Sequence, residues 1–276
     1  MEKYKTYKVI IPYSESAASS RKYKIEYTVE ARNCSEAKVL AKKKFDDYSI
    51  NNNASWIRTP DLSGIRIWRV YPDDPPTPQF IDELIQKLPC KDPEETISIL
   101  KRLGELEDIT ASSKIITVMK TDNPKIIAAS IITLGNIGDP TSFFVVKNTY
   151  SQKNNDEIRL AVVNTLYKLA LPEDDILDFY RVAIHNIMTR DSVFKLETPD
   201  LIPLWIAEIS NDNEFETVKN TILKLGEKAL SVLTKLNIKH PEVFSQASKL
   251  VAKLKPIAIE KKWEDLPEAL KKYNLL

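Results

Sequence analysis

The chain begins with two stretches in which apolar and less apolar residues alternate. The alternating positions are Tyr7, Val9, Ile11 and Tyr13, and then Tyr23, Ile25, Tyr27, Val29 and Ala31. A period of two is typical of strands that bury one face. Because only a short serine-rich segment separates the two stretches, we expect them to pair as an antiparallel hairpin.

A helical pattern follows the hairpin. Asn33 or Ser35 can cap a helix, and the apolar residues after them recur at helical spacing. These residues are Ala37, Leu40, Ala41, Phe45 and Tyr48. A polar loop then leads to the segment GIRIWRVY, which reads as a further strand. Residues 1–72 therefore predict a small α/β domain of strand, strand, helix and strand, with one helix on a three-stranded sheet.

Prolines mark the end of this region. Four of the nine residues in the segment YPDDPPTPQ, residues 71–79, are proline. Proline removes a backbone donor and biases the preceding residue toward extended conformations. We therefore place a stiff linker at residues 73–79 and a second domain at residues 80–276.

From the linker onward the periodicity is helical, and it repeats. The segments DPEETISILKRLGELED, NPKIIAASIITLGNIGD and NDEIRLAVVNTLYKLAL begin at Asp92, Asn123 and Asn155, with spacings of 31 and 32 residues. A second amphipathic segment follows each of them. The unit is thus a helical hairpin of about 32 residues, which buries its apolar stripe only when neighbours stack.

Individual residues in the repeat have physical roles. Asp139 supplies an N-cap oxygen, and Pro140 suits the first helical position because that position needs no N–H donor. The small residues Ala128, Ala129 and Ala161 allow close helix approach, while Gly135 and Gly138 are interpreted as helix-end residues.

The segments NPKIIAASIITLGNIGDPTS and EIRLAVVNTLYKLALPED resemble HEAT-like repeats, in the short bacterial form of the phycobilin lyase subunits. The resemblance implies an α-solenoid. We expect about five helix pairs, opened by FIDELIQKL and closed by WEDLPEALKKY, although the spacing drifts beyond the third repeat. The predicted fold class is α+β: a ββαβ domain followed by an all-α HEAT-like solenoid.

Composition excludes several kinds of chemistry. The chain contains no Walker loop and no dinucleotide-binding fingerprint, because its five glycines are too few and too scattered to form them. The two histidines, His185 and His240, have no cysteine or carboxylate cluster near them at metal-ligand spacing. Cys34 and Cys90 indicate reduced thiols of a cytoplasmic protein. No apolar run is long enough for a membrane span. We expect no catalytic residue, no metal and no cofactor.

Charge is distributed unevenly, although the whole chain has a net charge of only +1. Residues 1–72 carry 14 basic and 8 acidic residues, residues 73–218 carry 14 and 25, and residues 219–276 carry 12 and 6. An acidic centre of net charge −11 repels nucleic-acid phosphates. It suits a basic protein partner or self-association of opposite ends, although solvated faces alone also produce such a pattern.

Basic residues of the first region, namely Lys42, Lys43, Lys44, Arg58, Arg66 and Arg69, raise the alternative of nucleic-acid binding. The aromatic strand residues are expected to face the helix instead of bases. Trp205 lies in an apolar helical segment and is expected in the core.

The candidate partner-binding residues lie in two segments. Phe143, Phe144 and Tyr150 belong to the second helix of a repeat, which lines the concave side in an array of this kind, and any of them that stays exposed is a natural anchor. Asp174, Asp175, Asp178 and Arg181 open a later helix. The acidic residues among them suit a cation or a basic peptide, or they complement the helix dipole.

The favoured hypothesis is a non-enzymatic scaffold or adaptor that holds a protein partner on the solenoid. The repeat resemblance also implies an alternative, a phycobilin lyase-like subunit that handles an open-chain tetrapyrrole. A third class, the HEAT-like alkylpurine DNA glycosylases, is disfavoured by the acidic centre.

Overall fold

A computed structural model describes residues 4–15, 22–51, 57–71, 76–171, 176–238 and 240–275. Its fold class is α+β, as predicted: a small antiparallel sheet with one helix precedes a long all-helical part. By backbone contacts the chain divides into two compact units, Met1–Leu171 and Pro172–Leu276. The sheet, the first two repeats and the first helix of the third repeat belong to the first unit.

The sheet is built around the first strand. The strands are β1 (Lys5–Glu15), β2 (Lys22–Ala31), β3 (Arg58–Pro60) and β4 (Arg66–Arg69). β1 pairs with β2 along one side, and with β3 and β4 on the other, always antiparallel. The predicted antiparallel pairing of the first two strands is therefore confirmed.

The sheet has one strand more than the sequence predicts. β3 lies in the segment interpreted as a polar loop, and it pairs with the end of β1, where Tyr13 faces Pro60 and Glu15 faces Arg58. Three residues are too few to show a period of two. The strand exists because β1 is long enough to offer two partners on the same side, β4 at one end and β3 at the other.

Helix α1 (Cys34–Asn51) covers one face of the sheet with the apolar residues that the sequence pattern indicates. Phe45 lies against Tyr13, with their ring centroids 5.4 Å apart, and Tyr13 stacks on Tyr23 at the same distance. Tyr27 and Ile25 also pack against this core. The aromatic strand residues thus face the helix, as expected.

The remaining helices of the first unit are α2 (Pro78–Lys87), α3 (Pro93–Leu106), α4 (Ser112–Val118), α5 (Pro124–Ile137), α6 (Phe143–Gln152) and α7 (Asp156–Leu169). The first helices of the repeats, α3, α5 and α7, are each 14 residues long and pack side by side in chain order. Asp92, Asn123 and Asn155 cap them with side-chain oxygens.

The second helices begin in a single 3₁₀ turn, which an aspartate caps. Asp139 accepts a hydrogen bond from the Thr141 N–H, with Pro140 at the first position, and Asp108 accepts one from the Thr110 N–H. The predicted role of the Asp-Pro pair is confirmed, and the same cap recurs one repeat earlier without proline.

The two glycines of the central repeat have different functions. Gly138 ends α5 with φ of 71°, a left-handed conformation typical of a helix C-cap. Gly135 lies within α5, against the prediction that it is a helix-end residue. A Cβ atom there would lie 2.3 Å from Cγ2 of Thr165, so this glycine permits the close approach of α5 and α7.

The second unit contains α8 (Leu177–Ile184), α9 (Arg190–Phe194), α10 (Ile202–Glu208), α11 (Asp212–Leu225), α12 (Glu227–Lys235), α13 (Pro241–Glu260) and α14 (Leu266–Lys272). Trp205 is fully buried, as predicted, and its indole N–H donates to the Val193 carbonyl at 3.0 Å. The helices vary from 5 to 20 residues in length, which accounts for the drifting sequence period.

Candidate functional site

A buried carboxylate joins the sheet to the first repeat. Glu107, at the C-terminal end of α3, accepts hydrogen bonds from Lys5 Nζ at 2.7 Å and from the Tyr7 hydroxyl, and Arg69 Nη1 lies 3.6 Å from it. Lys5 and Tyr7 belong to β1, and Arg69 ends β4. Burial and the hydrogen bond to Glu107 raise the pKa of Tyr7 far above its usual value, so its hydroxyl stays protonated and donates.

The backbone of Glu107 is left-handed, with φ of 53°. The equivalent residue of the next repeat is Gly138, which adopts the same conformation without a Cβ penalty. A left-handed residue other than glycine costs about 1 kcal/mol. The ion pairs of Glu107 offset that cost, which explains why a glutamate occupies a glycine position of the repeat.

A second buried carboxylate lies next to the first. Asp108 caps the following 3₁₀ turn and lies 3.4 Å from Nε of Arg66, while the terminal nitrogens of Arg66 bind both oxygens of Asp82 at 3.0 and 2.8 Å. Burial raises the pKa of Asp108, and its hydrogen bonds with Thr110 and the charge of Arg66 oppose that rise. Arg66 thus bridges β4 to α2 and to the end of α3.

Helix-end carbonyls complete the junction between sheet and repeats. The Tyr71 hydroxyl donates to the Glu105 carbonyl at 2.8 Å, and Ser35 Oγ donates to the Gly138 carbonyl at 3.3 Å. Cys34 Sγ lies 2.7 Å from the Ile137 carbonyl, and burial raises the pKa of this thiol to about 12. Because nucleophilic attack needs the thiolate, Cys34 is a structural residue.

In all these contacts the sheet region supplies the donors and the helical region supplies the acceptors. Donors of a net basic segment therefore meet helix C-termini, which carry partial negative charge, and the carboxylates of a net acidic segment. Part of the uneven charge distribution is thus satisfied within the chain. The junction is structural, since its buried groups bind one another.

The basic residues considered for nucleic-acid binding are largely engaged in the same way. Arg58 Nε donates to Glu15 at 2.9 Å, Lys42 pairs with Asp46 at 2.7 Å, and Lys44 donates to the Thr28 carbonyl at 3.2 Å. With Arg66 and Arg69 at the junction, these cations are held by groups of the same chain. Carboxylates bind the three arginines, whereas Lys42 and Lys44 are exposed and make single contacts at the surface.

The aromatic candidates on α6 differ in exposure. Phe143 and Tyr150 are buried, whereas the Phe144 side chain is 65% exposed. Phe143 and Phe144 meet edge to face, with ring centroids 5.3 Å apart, so the exposed ring rests on a fixed neighbour. Val145 beside it is also exposed. Phe144 is therefore the candidate that presents apolar surface.

In the second unit, an apolar groove of about 510 Å³ lies between α8 and α10. Its lining residues are Leu177, Arg181, Val182, His185, Pro203, Leu204, Ala207 and Glu208. The side chain of Val182 is 65% exposed. Ile187 and Met188, in the turns after α8, are exposed as well. Exposed apolar side chains beside a concave apolar surface are typical of interaction sites.

An arginine at the start of α9 holds the elements around this groove together. Arg190 binds Glu214 of α11 through Nε at 2.7 Å and through Nη2 at 3.1 Å. It also donates to the carbonyls of Ile184, at the end of α8, and Glu208, at the end of α10. The guanidinium, together with the hydrogen bonds from Ser210, lowers the pKa of Glu214 to about 2. The groove walls are thereby tied to α11.

The remaining charged candidates lie at the groove or outside the described residues. Arg181 lines the groove and pairs with Asp178 at 2.8 Å in an exposed ion pair of α8. Asp178 lies in the first turn of α8, where it also complements the helix dipole. Asp174 and Asp175 fall outside the described residues.

The histidines are well separated in the sequence and differ in role. His185 follows α8, with Nδ1 3.8 Å from Glu208, and His240 precedes Pro241 at the N-cap of α13. Within the part of the chain that the structure describes, no three His, Cys, Asp or Glu side chains come together as metal ligands would. None of the helices described there has the length and apolar character that crossing a membrane requires.

The chain is similar to solved structures but not to a protein family or a curated protein. No protein-family model matches the chain, and no curated protein matches it either. Among solved structures, human deoxyhypusine hydroxylase in complex with glycerol aligns over 72% of this chain and 86% of its own, with 16% identity and a TM-score of 0.32. Similarity at this level carries no information on function.

Two residues that organise these regions were missed by the sequence analysis, namely Glu107 and Arg190. Glu107 left a signal, because it stands where the next repeat has a glycine followed by the same aspartate. Arg190 left none, since a single arginine between two helical segments does not indicate which carbonyls or carboxylates it binds.

Proposed function

We propose that the chain is a protein-binding adaptor with no catalytic role of its own, and that the groove between α8 and α10 receives a segment of its partner. The observation that carries the proposal is the combination of this apolar groove with exposed apolar side chains beside it. Such a surface gains free energy when a partner removes it from water.

The chemistry of the groove limits what fits. Leu177, Val182 and Leu204 offer apolar contacts, so apolar residues of the partner fill the groove. Charged groups lie along its edge, where Glu208 can accept from a basic residue of the partner and Arg181 can donate to an acidic one. An amphipathic helix, with apolar residues on one face and charges beside them, combines these features.

A second contact belongs to the first unit. Phe144 and Val145 are exposed neighbours on α6, and aromatic side chains dominate the energetics of many interfaces. Two separate sites on one chain raise the effective concentration of the second contact once the first is made. An adaptor with two such surfaces gains affinity without a deep pocket.

The test compares two valines of equal exposure. Val182→Glu places a charge at the groove, and Val39→Glu places the same charge on α1, where Val39 is 68% exposed. The tagged wild-type chain captures proteins from the source organism, and mass spectrometry identifies them. The protein that binds most tightly is then titrated against the wild type and both variants. Val182→Glu is expected to weaken binding at least tenfold, while Val39→Glu leaves it unchanged. Equal binding by wild type and Val182→Glu would contradict the proposed groove.

A further inference from the structure

Strand β2 forms an edge of the sheet. It pairs with β1 along one side, and no other described strand lies on its opposite side. Its even-numbered side chains are exposed, namely Lys22, Lys24, Glu26, Thr28 and Glu30. At ten residues it is a long edge strand, which natural sheets usually shorten, cover or bend.

The hydrogen-bond pattern shows where the backbone groups of β2 point. The carbonyls of Thr6 and Pro12 in β1 accept from Val70 and Asp61, so the even-numbered residues of β1 face away from β2. Because successive residues of an antiparallel strand alternate in direction, the odd-numbered residues of β1 bond to β2. The register pairs them with odd-numbered residues of β2, such as Tyr7 with Val29. The even-numbered residues of β2 therefore direct N–H and C=O outward.

This outward row is almost unpaired. Among the described residues, one contact reaches it: Lys44 Nζ donates to the Thr28 carbonyl at 3.2 Å. A lysine beside an open edge is a common guard against unwanted pairing. Since Lys44 is exposed, its single hydrogen bond is easily exchanged for a backbone N–H of another strand.

When β2 pairs antiparallel with a second copy of itself, a basic residue near one end can face an acidic residue near the other. Lys24 lies near one end of β2 and Glu30 near the other, with Glu26 and Thr28 between them. In an antiparallel pair of two β2 strands centred beside Tyr27, each Lys24 faces Glu30 of the second copy, and each Glu26 faces Thr28. These four positions hold no like-charge pair, but in the same register Lys22 faces Arg32 of the second copy at each end of the paired strands. A pair centred one residue earlier would place Glu26 opposite itself, which is unfavourable.

We propose that β2 pairs with β2 of a second copy of this chain, so that two four-stranded sheets become one continuous sheet across a two-fold axis. This inference is independent of the proposed groove. The interface pairs the outward backbone groups of one strand with those of the other, and it pairs Lys24 with Glu30. Because a strand edge buries little surface, the dimer is expected to be weak and to depend on protein concentration.

A charge-swap cycle tests the register. Sedimentation velocity over a range of concentrations measures the dimer of the full chain and of Lys24→Glu, Glu30→Lys and the double variant. Each single variant places like charges at two positions of the interface and should weaken the dimer roughly tenfold. The double variant restores opposite charges and should restore the dimer, which a merely structural effect of either change would not do.

A backbone test separates strand pairing from other contacts. Glu26→Pro removes an outward N–H but leaves the ladder with β1 intact, whereas Glu26→Ala removes the same side chain and keeps the N–H. With circular dichroism confirming the fold of both, the alanine variant should still dimerise and the proline variant should not. A wild-type chain that is monomeric at every concentration overturns the proposal, as does a dimer that survives both Lys24→Glu and Glu26→Pro.

Discussion

At the scale of single residues, the junction between sheet and repeats depends on Glu107. Its left-handed backbone would favour glycine, and its side chain is buried, so two unfavourable features occur at one position. Both are offset because Lys5, Tyr7 and Arg69 converge on the same carboxylate. The contacts of Glu107 with the sheet, and not its backbone preference, account for a glutamate at this position.

Replacing this carboxylate should destabilise the chain. Glu107→Gln keeps the shape but leaves Lys5, Tyr7 and Arg69 around a neutral amide, and we expect a loss of about 1–3 kcal/mol in the free energy of unfolding. The control is Glu105→Gln, because Glu105 lies on the same turn but pairs with Arg102 at the surface. That change should cost about 0.5 kcal/mol or less. Urea titration measures the free energy of unfolding of both variants. Equal losses would show that the buried contacts of Glu107 contribute no more stability than the surface ion pair of Glu105.

At the scale of secondary-structure elements, the spacing of the repeats is set by small residues at the helix contacts. Helices α3, α5 and α7 have equal length and equal caps, so successive units present matching positions to one another. The Thr133 hydroxyl donates across to the Leu100 carbonyl at 3.0 Å, which joins α5 to α3. Between α5 and α7 the contact is tighter, because Gly135 meets Thr165.

Gly104 and Gly135 occupy the same position of successive repeats, and they should respond differently to replacement by alanine. Gly135→Ala forces its new Cβ into Thr165 and is expected to cost about 1–3 kcal/mol. Gly104→Ala meets its nearest atoms at 3.4 Å and is expected to be neutral, or stabilising by up to about 1 kcal/mol, through higher helix propensity. Thermal unfolding followed by circular dichroism compares them. Adding Thr165→Ala to Gly135→Ala should recover part of the loss, and a failure to recover would point to a different cause.

At the scale of the whole molecule, part of the uneven charge of the chain is paired within the first unit. The sheet region, with its excess of basic residues, donates to carboxylates and helix ends of the acidic repeats, and both belong to one compact unit. Ile109, which follows α3, also packs against the core of the sheet. The proline-rich segment predicted as a linker thus separates two parts that are in contact. A domain boundary at residues 73–79 stays a prediction.

Fragments of the chain test where independent folding ends. The fragment 1–171 keeps the sheet on the repeats and should unfold in one cooperative transition. The fragment 80–171 should unfold at a lower temperature, because Glu107 and Asp108 lose their partners and Ile109 loses its cover. Calorimetry of the two fragments decides between these outcomes. If both unfold at the same temperature, the sheet contributes nothing to the repeats and the boundary at 73–79 is supported.

The sequence by itself determined the elements whose signal is local. The period of two in β1 and β2, the 31- and 32-residue repeat and the capping residues all act on neighbouring backbone groups, so they can be recognised along the chain. Tertiary structure decided everything that depends on distant pairs. The strand β3 exists only because β1 has a free side, Gly135 matters only because Thr165 faces it, and Phe143 and Phe144 differ only in what covers them. The charges of Lys5 and Arg66 are visible in the sequence, but their partners are not. Arg66 binds Asp82 and Asp108, which are 16 and 42 residues away, and Lys5 binds Glu107, which is 102 residues away, so only folding brings these groups together.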